Sequence, residues 1–227
     1  MSMGTAGKSK RLIGLGLAMA TSLSALILLS GPATAGAGII GAPVSLPATV
    51  GGNVWSLRDR QTTGDANNTF LYGDPDDFPI MGDWDGDGEK TPGIVRGNLW
   101  ALRNSNDTGV GEIVFRYGDP DDFPIVGDWN NDGIDTPGIN RGNFYALRNS
   151  NDSGFGQINF IYGDPTDFPL SGDWDADGVD TIGIRRGNFW ALRNTNDTGF
   201  GNTLFTFGDP EAFPVIWAAP ALMTTSR

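Results

Sequence analysis

One stretch of the chain returns at a fixed step, and that step governs the rest. Residues 82–94 read Gly82, Asp83, Trp84, Asp85, Gly86, Asp87, Gly88, Glu89, Lys90, Thr91, Pro92, Gly93 and Ile94, and the pattern comes back at 127–139 and 172–184, 45 residues further on each time. Two other blocks keep the step in four copies. Gly52-Asn53-Val54-Trp55 has counterparts ending in Trp100, Tyr145 and Trp190, and Tyr72-Gly73-Asp74-Pro75 has counterparts beginning at Tyr117, Tyr162 and Phe207. A period in this range marks stacked supersecondary units, none of which buries its apolar face alone. Within one unit, short apolar or aromatic runs at 78–82, 91–96, 98–103 and 113–117 are bounded by Gly, Pro, Asn and Asp, so they read as strands. The stretch 104–109 joining the last two is rich in residues that tolerate a left-handed backbone, and it reads as a hairpin loop.

Four antiparallel strands in a repeat of about 45 residues predict a β-propeller blade. The array begins with a counterpart of the second strand at 46–50 and ends with a solitary counterpart of the first at 213–216. The expectation is an all-β protein whose propeller of four blades spans 46–222, its ring closed by strands from the two ends. A monomer follows if each chain closes its own ring; a dimer exchanging the closing strands is the alternative.

The repeated acidic stretch carries the chemistry. Side-chain oxygens stand at loop positions 1, 3 and 5, with a Gly at 6 that can take the positive φ of a tight turn, which is how an acidic loop wraps calcium. The ligands predicted from this pattern are Asp83, Asp85 and Asp87, the backbone carbonyl of Glu89 and the hydroxyl of Thr91. The second loop offers Asp128, Asn130, Asp132, Ile134 and Thr136, and the third Asp173, Asp175, Asp177, Val179 and Thr181. About three Ca²⁺ per chain are expected, with the second site weakest because Asn130 removes one negative charge. An EF-hand opens in the same way but needs a Glu at position 12 and flanking helices. Here position 12 is Ile94, Ile139 or Ile184, between Pro-, Gly- and aromatic-rich flanks. The metal-free reading of the same residues is a solvated Asx-rich turn.

These Gly-Asp-Trp-Asp-x-Asp-Gly loops, preceded by Phe-Pro-Ile and followed by Gly-Ile strands, resemble the FG-GAP and VCBS-type repeats of calcium-binding β-propellers, including integrin-like blades. The resemblance covers residues 46 to about 222 and implies metal at Asp83, Asp85, Asp87 and their counterparts. It departs at loop position 9, where those families carry an Asp and this chain has Thr91, Thr136 and Thr181. The families span adhesins, lectin-like modules and accessory domains of enzymes, so the resemblance bears on fold more than on activity.

The ends and the charge narrow the function. Lys8, Lys10 and Arg11 precede an apolar run at 12–29 and then small residues including Ala33, Thr34 and Ala35, the pattern of a secretory signal over 1–37. A linker at 38–45 and a tail at 223–227 flank the repeats. The expected location is extracellular, with no membrane attachment after cleavage; the apolar run is also long enough for an uncleaved membrane anchor, which is the alternative. Cleavage leaves 12 basic residues against 27 acidic ones, a net charge of −15, which disfavours nucleic acid and anionic surfaces as partners. The 227-residue chain has no Cys, so metal is left as the stapling device, and no His, which removes the commonest general base and every Ser-His-Asp arrangement.

Three further sets complete the reading. Trp55, Trp100, Tyr145 and Trp190 are expected to pack between blades, with sugar stacking on an exposed rim as the alternative, and Trp84, Trp129 and Trp174 to point away from the ions. Arg58, Arg103, Arg148 and Arg193, beside so many carboxylates, are expected to bridge neighbouring blades rather than to bind anions. Asn106-Asp107-Thr108 and its counterparts match the glycosylation tripeptide but read as turns. The chain is therefore expected not to be an enzyme. It reads as a secreted, calcium-binding recognition or adhesion module for glycans or cell-surface proteins, multivalent through its repeats. A purely structural cell-surface or matrix role is one alternative, and a carboxylate-dependent glycan-acting enzyme, with Glu89, Glu112 and Glu211 outside the repeat pattern, is the other.

Overall fold

The computed structural model describes residues 48–58, 63–214 and 216. The expected signal, linker and tail therefore lie outside the described residues. The described chain is all-β, with strands β1 (Ala48–Gly51), β2 (Val54–Leu57), β3 (Asn68–Leu71), β4 (Phe78–Gly82), β5 (Thr91–Arg96), β6 (Leu99–Leu102), β7 (Ile113–Arg116), β8 (Phe123–Gly127), β9 (Thr136–Arg141), β10 (Phe144–Leu147), β11 (Ile158–Ile161), β12 (Phe168–Gly172), β13 (Thr181–Arg186), β14 (Phe189–Leu192) and β15 (Thr203–Thr206). They form four antiparallel sheets, β1–β3, β4–β7, β8–β11 and β12–β15, each a simple meander and each one blade of a four-bladed propeller.

The alternation along each blade explains its strands. In β6 and β7, Trp100 and Leu102 are buried, Phe115 is buried, and Val114 and Arg116 are exposed, so one face of the outer pair packs and the other is wet. Register places Trp100 opposite Phe115, and their rings stack at 6.0 Å; the same cross-strand pair recurs as Trp55 with Phe70, Tyr145 with Phe160 and Trp190 with Phe205. The second strands of the later blades are buried along almost their whole length. Each second strand turns into the third through two residues, with Gly97 (φ 58°) at the first central position, where a type II′ hairpin needs positive φ. That turn takes Asn98, so β6 begins one residue later than expected.

The innermost strands β4, β8 and β12 lie side by side around the centre. Their leading phenylalanines meet edge to face in sequence, Phe78 with Phe123 at 5.4 Å, Phe123 with Phe168 at 5.6 Å and Phe168 with Phe213 at 5.3 Å. Phe213 and Ile216 line the same central opening as β4, β8 and β12, so these two residues reach the innermost position of the ring. The strand expected there, and its pairing with 46–50, depend on residues 46, 47 and 215, which lie outside the described residues.

Successive blades are joined by a repeated pair of hydrogen bonds. Tyr72 Oη donates to the Ala101 carbonyl at 2.9 Å and Tyr117 Oη to that of Ala146 at 3.0 Å, in each case reaching the third strand of the next blade. The outer-edge N–H groups of Leu71, Arg116 and Ile161 donate to the hydroxyls of Thr108, Ser153 and Thr198 in the following blade, at 3.0, 3.1 and 3.2 Å. Three sheet edges that could recruit another chain are thereby capped.

At the end of the three later blades opposite the acidic loops a triad recurs: in the first of them Arg96 holds Asp77 through two bonds of 2.6 and 2.8 Å and reaches Asp74 at 2.5 Å. Arg141 with Asp122 and Asp119, and Arg186 with Asp167 and Asp164, repeat the triad. The Arg96 hydrogen bonds hold the Asp77 carboxyl below the usual carboxylate range. At Asp122 and Asp167 burial pulls upward, but the paired arginines and a backbone N–H outweigh it and the net displacement is again downward. A depressed folded-state pKa gives stability that is present above the ordinary carboxylate value near 4 and is lost as pH falls through the lowered values. Melting in chelator is therefore expected to drop steeply only below about pH 4. The drop should be shallower in an Arg141→Gln, Arg186→Gln variant, and equal acid slopes would remove the triads from the account.

Candidate metal centre

The first and second strands of each later blade are joined by an acidic loop, and the third and fourth by the hairpin loop, so in an antiparallel meander both loops share one end of the blade. The acidic loop folds around its first carboxylate. Asp83 accepts the N–H groups of Gly86 at 2.7 Å, Asp87 at 3.2 Å and Gly88 at 2.7 Å, and Asp87 accepts that of Glu89 at 2.8 Å. The other loops repeat this, with Asp128 accepting from Asp132 and Gly133, and Asp173 from Asp177 and Gly178. Such coiling requires positive φ at positions 4 and 6. Glycine supplies it at Gly86 and Gly88, whereas the fourth position of the third loop is Ala176, at φ 62°. A left-handed alanine costs about 1 kcal/mol relative to glycine, so Ala176→Gly is expected to raise stability by about that amount in a denaturant melt. No gain would mean that the loop does not hold this backbone in solution.

The coiling gathers the predicted carboxylates. In the first loop one oxygen from each of Asp83, Asp85 and Asp87 lies within 4.8 Å of the others, and Asp173, Asp175 and Asp177 form the same group in the third. Among the described residues no Lys or Arg is ion-paired with either trio. Three carboxylates held this close repel one another unless a cation sits among them, and Asp83, which accepts three N–H bonds, still keeps a lone pair on Oδ2. The donor set is all oxygen, which suits a hard cation such as calcium. In the second loop Asn130 Nδ2 donates to Asp132 at 2.9 Å, so its amide takes the place of the third carboxylate.

The threonines at position 9 are placed differently. Thr91, Thr136 and Thr181 are buried, and their hydroxyls donate across the strand pair to the carbonyls of Gly82, Gly127 and Gly172 at 3.3, 3.3 and 3.4 Å. The hydroxyls thus serve the sheet. Trp84 and Trp129 are buried beneath their loops, Trp84 with its ring over Gly82 and its indole N–H on the Pro92 carbonyl.

Residues that sequence reasoning passed over lock the loops together. Asp135, at position 8 of the second loop, accepts the Asp83 N–H at 2.8 Å and Lys90 Nζ at 2.5 Å, while its own N–H donates to the Asp83 carbonyl at 2.7 Å. Asp180 of the third loop grips Asp128 in the same two ways. Burial pushes the Asp180 carboxyl up to about 6, against the pull of the Asp128 N–H and with the help of the Asp135 charge. The glycosylation-like asparagines serve the same end. Asn151 Nδ2 donates to the carbonyls of Trp84 and Asp135, and Asn196 Nδ2 to that of Asp180, so these tripeptides brace the acidic loops.

Among the described residues, Arg103, Arg148 and Arg193 do not make the bridges between blades that were expected. Arg103 binds the carbonyl and carboxylate of Asp107, the Val110 carbonyl and Glu112, all within its own hairpin loop, and Arg148 and Arg193 repeat this with Asp152 and Asp197. Arg58 likewise holds the carbonyls of Thr63 and Asp65. The physical reason is reach: a carboxylate four residues on, in a loop that folds back, is nearer than any in the next blade. Braced in this way, the hairpin loops raise Val110, Phe155 and Phe200 at their tips, 80, 93 and 94% exposed. The signal for them was in the sequence, a single apolar residue between two glycines at the repeat step. Trp55, Trp100 and Tyr145 are buried in clusters that cross from one blade to the next, and Trp190 is buried in the fourth blade, which leaves no face for a sugar.

No family model, curated protein or solved structure matches the chain.

Proposed function

We propose that the chain is a secreted calcium-binding propeller of the FG-GAP/VCBS type that serves as a non-catalytic recognition or adhesion module for glycans or cell-surface proteins. One observation carries this reading: the acidic loops and the exposed Val110, Phe155 and Phe200 recur in step at the same end of three blades. Calcium in the loops would stiffen the base against which the hairpin loops rest, through Asn106, Asn151 and Asn196. Weak contacts repeated on a rigid frame add as avidity. Glu112 is tied to Arg103 and to the Asn104 N–H, a bracing role that favours the module over the glycan-acting alternative. A glycan and cell-surface binding screen, run with and without calcium, tests the reading. Saturable, calcium-dependent binding that falls in a Phe155→Ser, Phe200→Ser variant is expected. Absence of saturable binding in either condition would favour the purely structural role.

A further inference from the structure

The interface that joins one blade to the next continues past the last blade, where none of the described residues covers it. In the first three blades the residues that face the following blade are buried: Phe70, Phe115 and Phe160 are 5, 6 and 6% exposed, and Tyr72, Tyr117 and Tyr162 are each 4% exposed. At the same positions of the fourth blade Phe205 is 38% and Phe207 70% exposed. A Cβ on Gly73 or Gly118 would come within 2.8 Å of Ile94 or Ile139 in the next blade, yet nothing lies within 4 Å of the same position at Gly208. No hydroxyl among the described residues caps the N–H of Thr206, the counterpart of Leu71, Arg116 and Ile161. The first blade shows the complementary lack. Its Thr49, at the place of Ile94, Ile139 and Ile184, is exposed, whereas those isoleucines are 5, 4 and 3% exposed.

We propose that the uncovered face of the fourth blade is an assembly surface, and that its occupant is the first blade of a second copy of this chain, seated as each blade seats on the one before it. The argument is continuity. The same contact, with the same residue types at the same repeat positions, is made three times within the chain, and both halves of a fourth contact are displayed unfilled. Phe205 and Phe207 supply the apolar centre, and the first blade supplies the third-strand segment around Ser56 that corresponds to Ala101, Ala146 and Ala191. The contact is head to tail, so copies associate into a closed ring or an open filament. The proposal goes beyond the recognition role and does not depend on it.

The chain has no cysteine, which makes a crosslink decisive. In the seated interface the Cβ position at Gly73 is 3.6 Å from Ile94 Cβ, within disulfide range, so a Thr49→Cys, Gly208→Cys variant places its thiols correctly if the first blade takes that seat. Oxidation is expected to give covalent multiples of the chain on a non-reducing gel, and light scattering of the unaltered protein is expected to show a mass that rises with concentration. Phe207→Asp is expected to weaken the association about tenfold or more, with an unchanged circular dichroism spectrum because Phe207 bears little packing. Phe207→Tyr, which restores the hydroxyl of the other blades, is expected to strengthen it. A disulfide formed only within single chains would assign the surface to the chain's own first blade and overturn the proposal. So would a monomer at every concentration, or association unaffected by Phe207→Asp.

Discussion

Metal-loaded protein moved into excess chelator is expected to melt about 10 °C lower. Under the proposed function, the three acidic loops would act as separate extracellular-type sites, for which a Kd near ~0.1 mM is ordinary. At ~1 mM calcium each such site adds roughly 1.4 kcal/mol to the folded state, about 4 kcal/mol for three. In a domain of this size 1 kcal/mol moves the melting temperature by about 2–4 °C. The structure makes so large an effect reasonable. The loops are not isolated turns: Asp135 and Asp180 tie each to the loop before it, so a loop that loosens releases a contact between blades. The carboxylate trios at 83–87 and 173–177 have no cationic side chain to stand in for the metal among the described residues. Differential scanning calorimetry in calcium and in chelator measures the shift, and coincident melts would mean that the loops are self-sufficient turns.

Gly118→Ala is expected to be among the most damaging single changes, and Gly208→Ala far milder. Both glycines stand at φ near +75°, 73° and 80°, so alanine strains the backbone at each by about 1–2 kcal/mol. At Gly118 the new methyl would also lie 2.8 Å from both the Ile139 side chain and the Asp122 carboxylate, which pushes the second and third blades apart and disturbs the Arg141 triad. Overpacking of that kind adds about 1–3 kcal/mol, for a total of roughly 2–5 kcal/mol. At Gly208 there is nothing within 4 Å to meet. Denaturant melts of the two variants measure the difference. Equal losses would show that the fourth blade is packed against like the others.

The repeat step carried most of the architecture because strand boundaries in this chain are written by punctuation. The expected limits 78–82 and 91–96 match β4 and β5, since Pro, Gly and the acidic loop bracket them on both sides. The clustering of the loop carboxylates was legible for the same reason, since Asp at alternate positions with glycine between lets a tight loop gather its side chains. What could not be read lies across blades. Asp135 and Asp180 look like two more turn residues, and the first repeat conceals their role by carrying Lys90 at that position. The arginines stood near carboxylates in their own hairpin and in the next blade, and only the loop's fold selects between them. The seam is the clearest case. Phe205 belongs to the same repeat position as Phe115, yet one is 38% exposed and the other 6%, because exposure depends on a neighbour that identical sequence does not specify.

The central claim is that the repeated acidic loops are calcium sites. Calorimetric titration of calcium into chelator-stripped protein tests it most directly, with the Asp83→Asn, Asp85→Asn, Asp87→Asn variant alongside. The expected result is saturable binding to three loops, the one with Asn130 the weakest, and loss of one of the stronger sites in the variant. Absence of saturable heat up to about 10 mM calcium, beyond the weakest affinities of extracellular calcium modules, would contradict it.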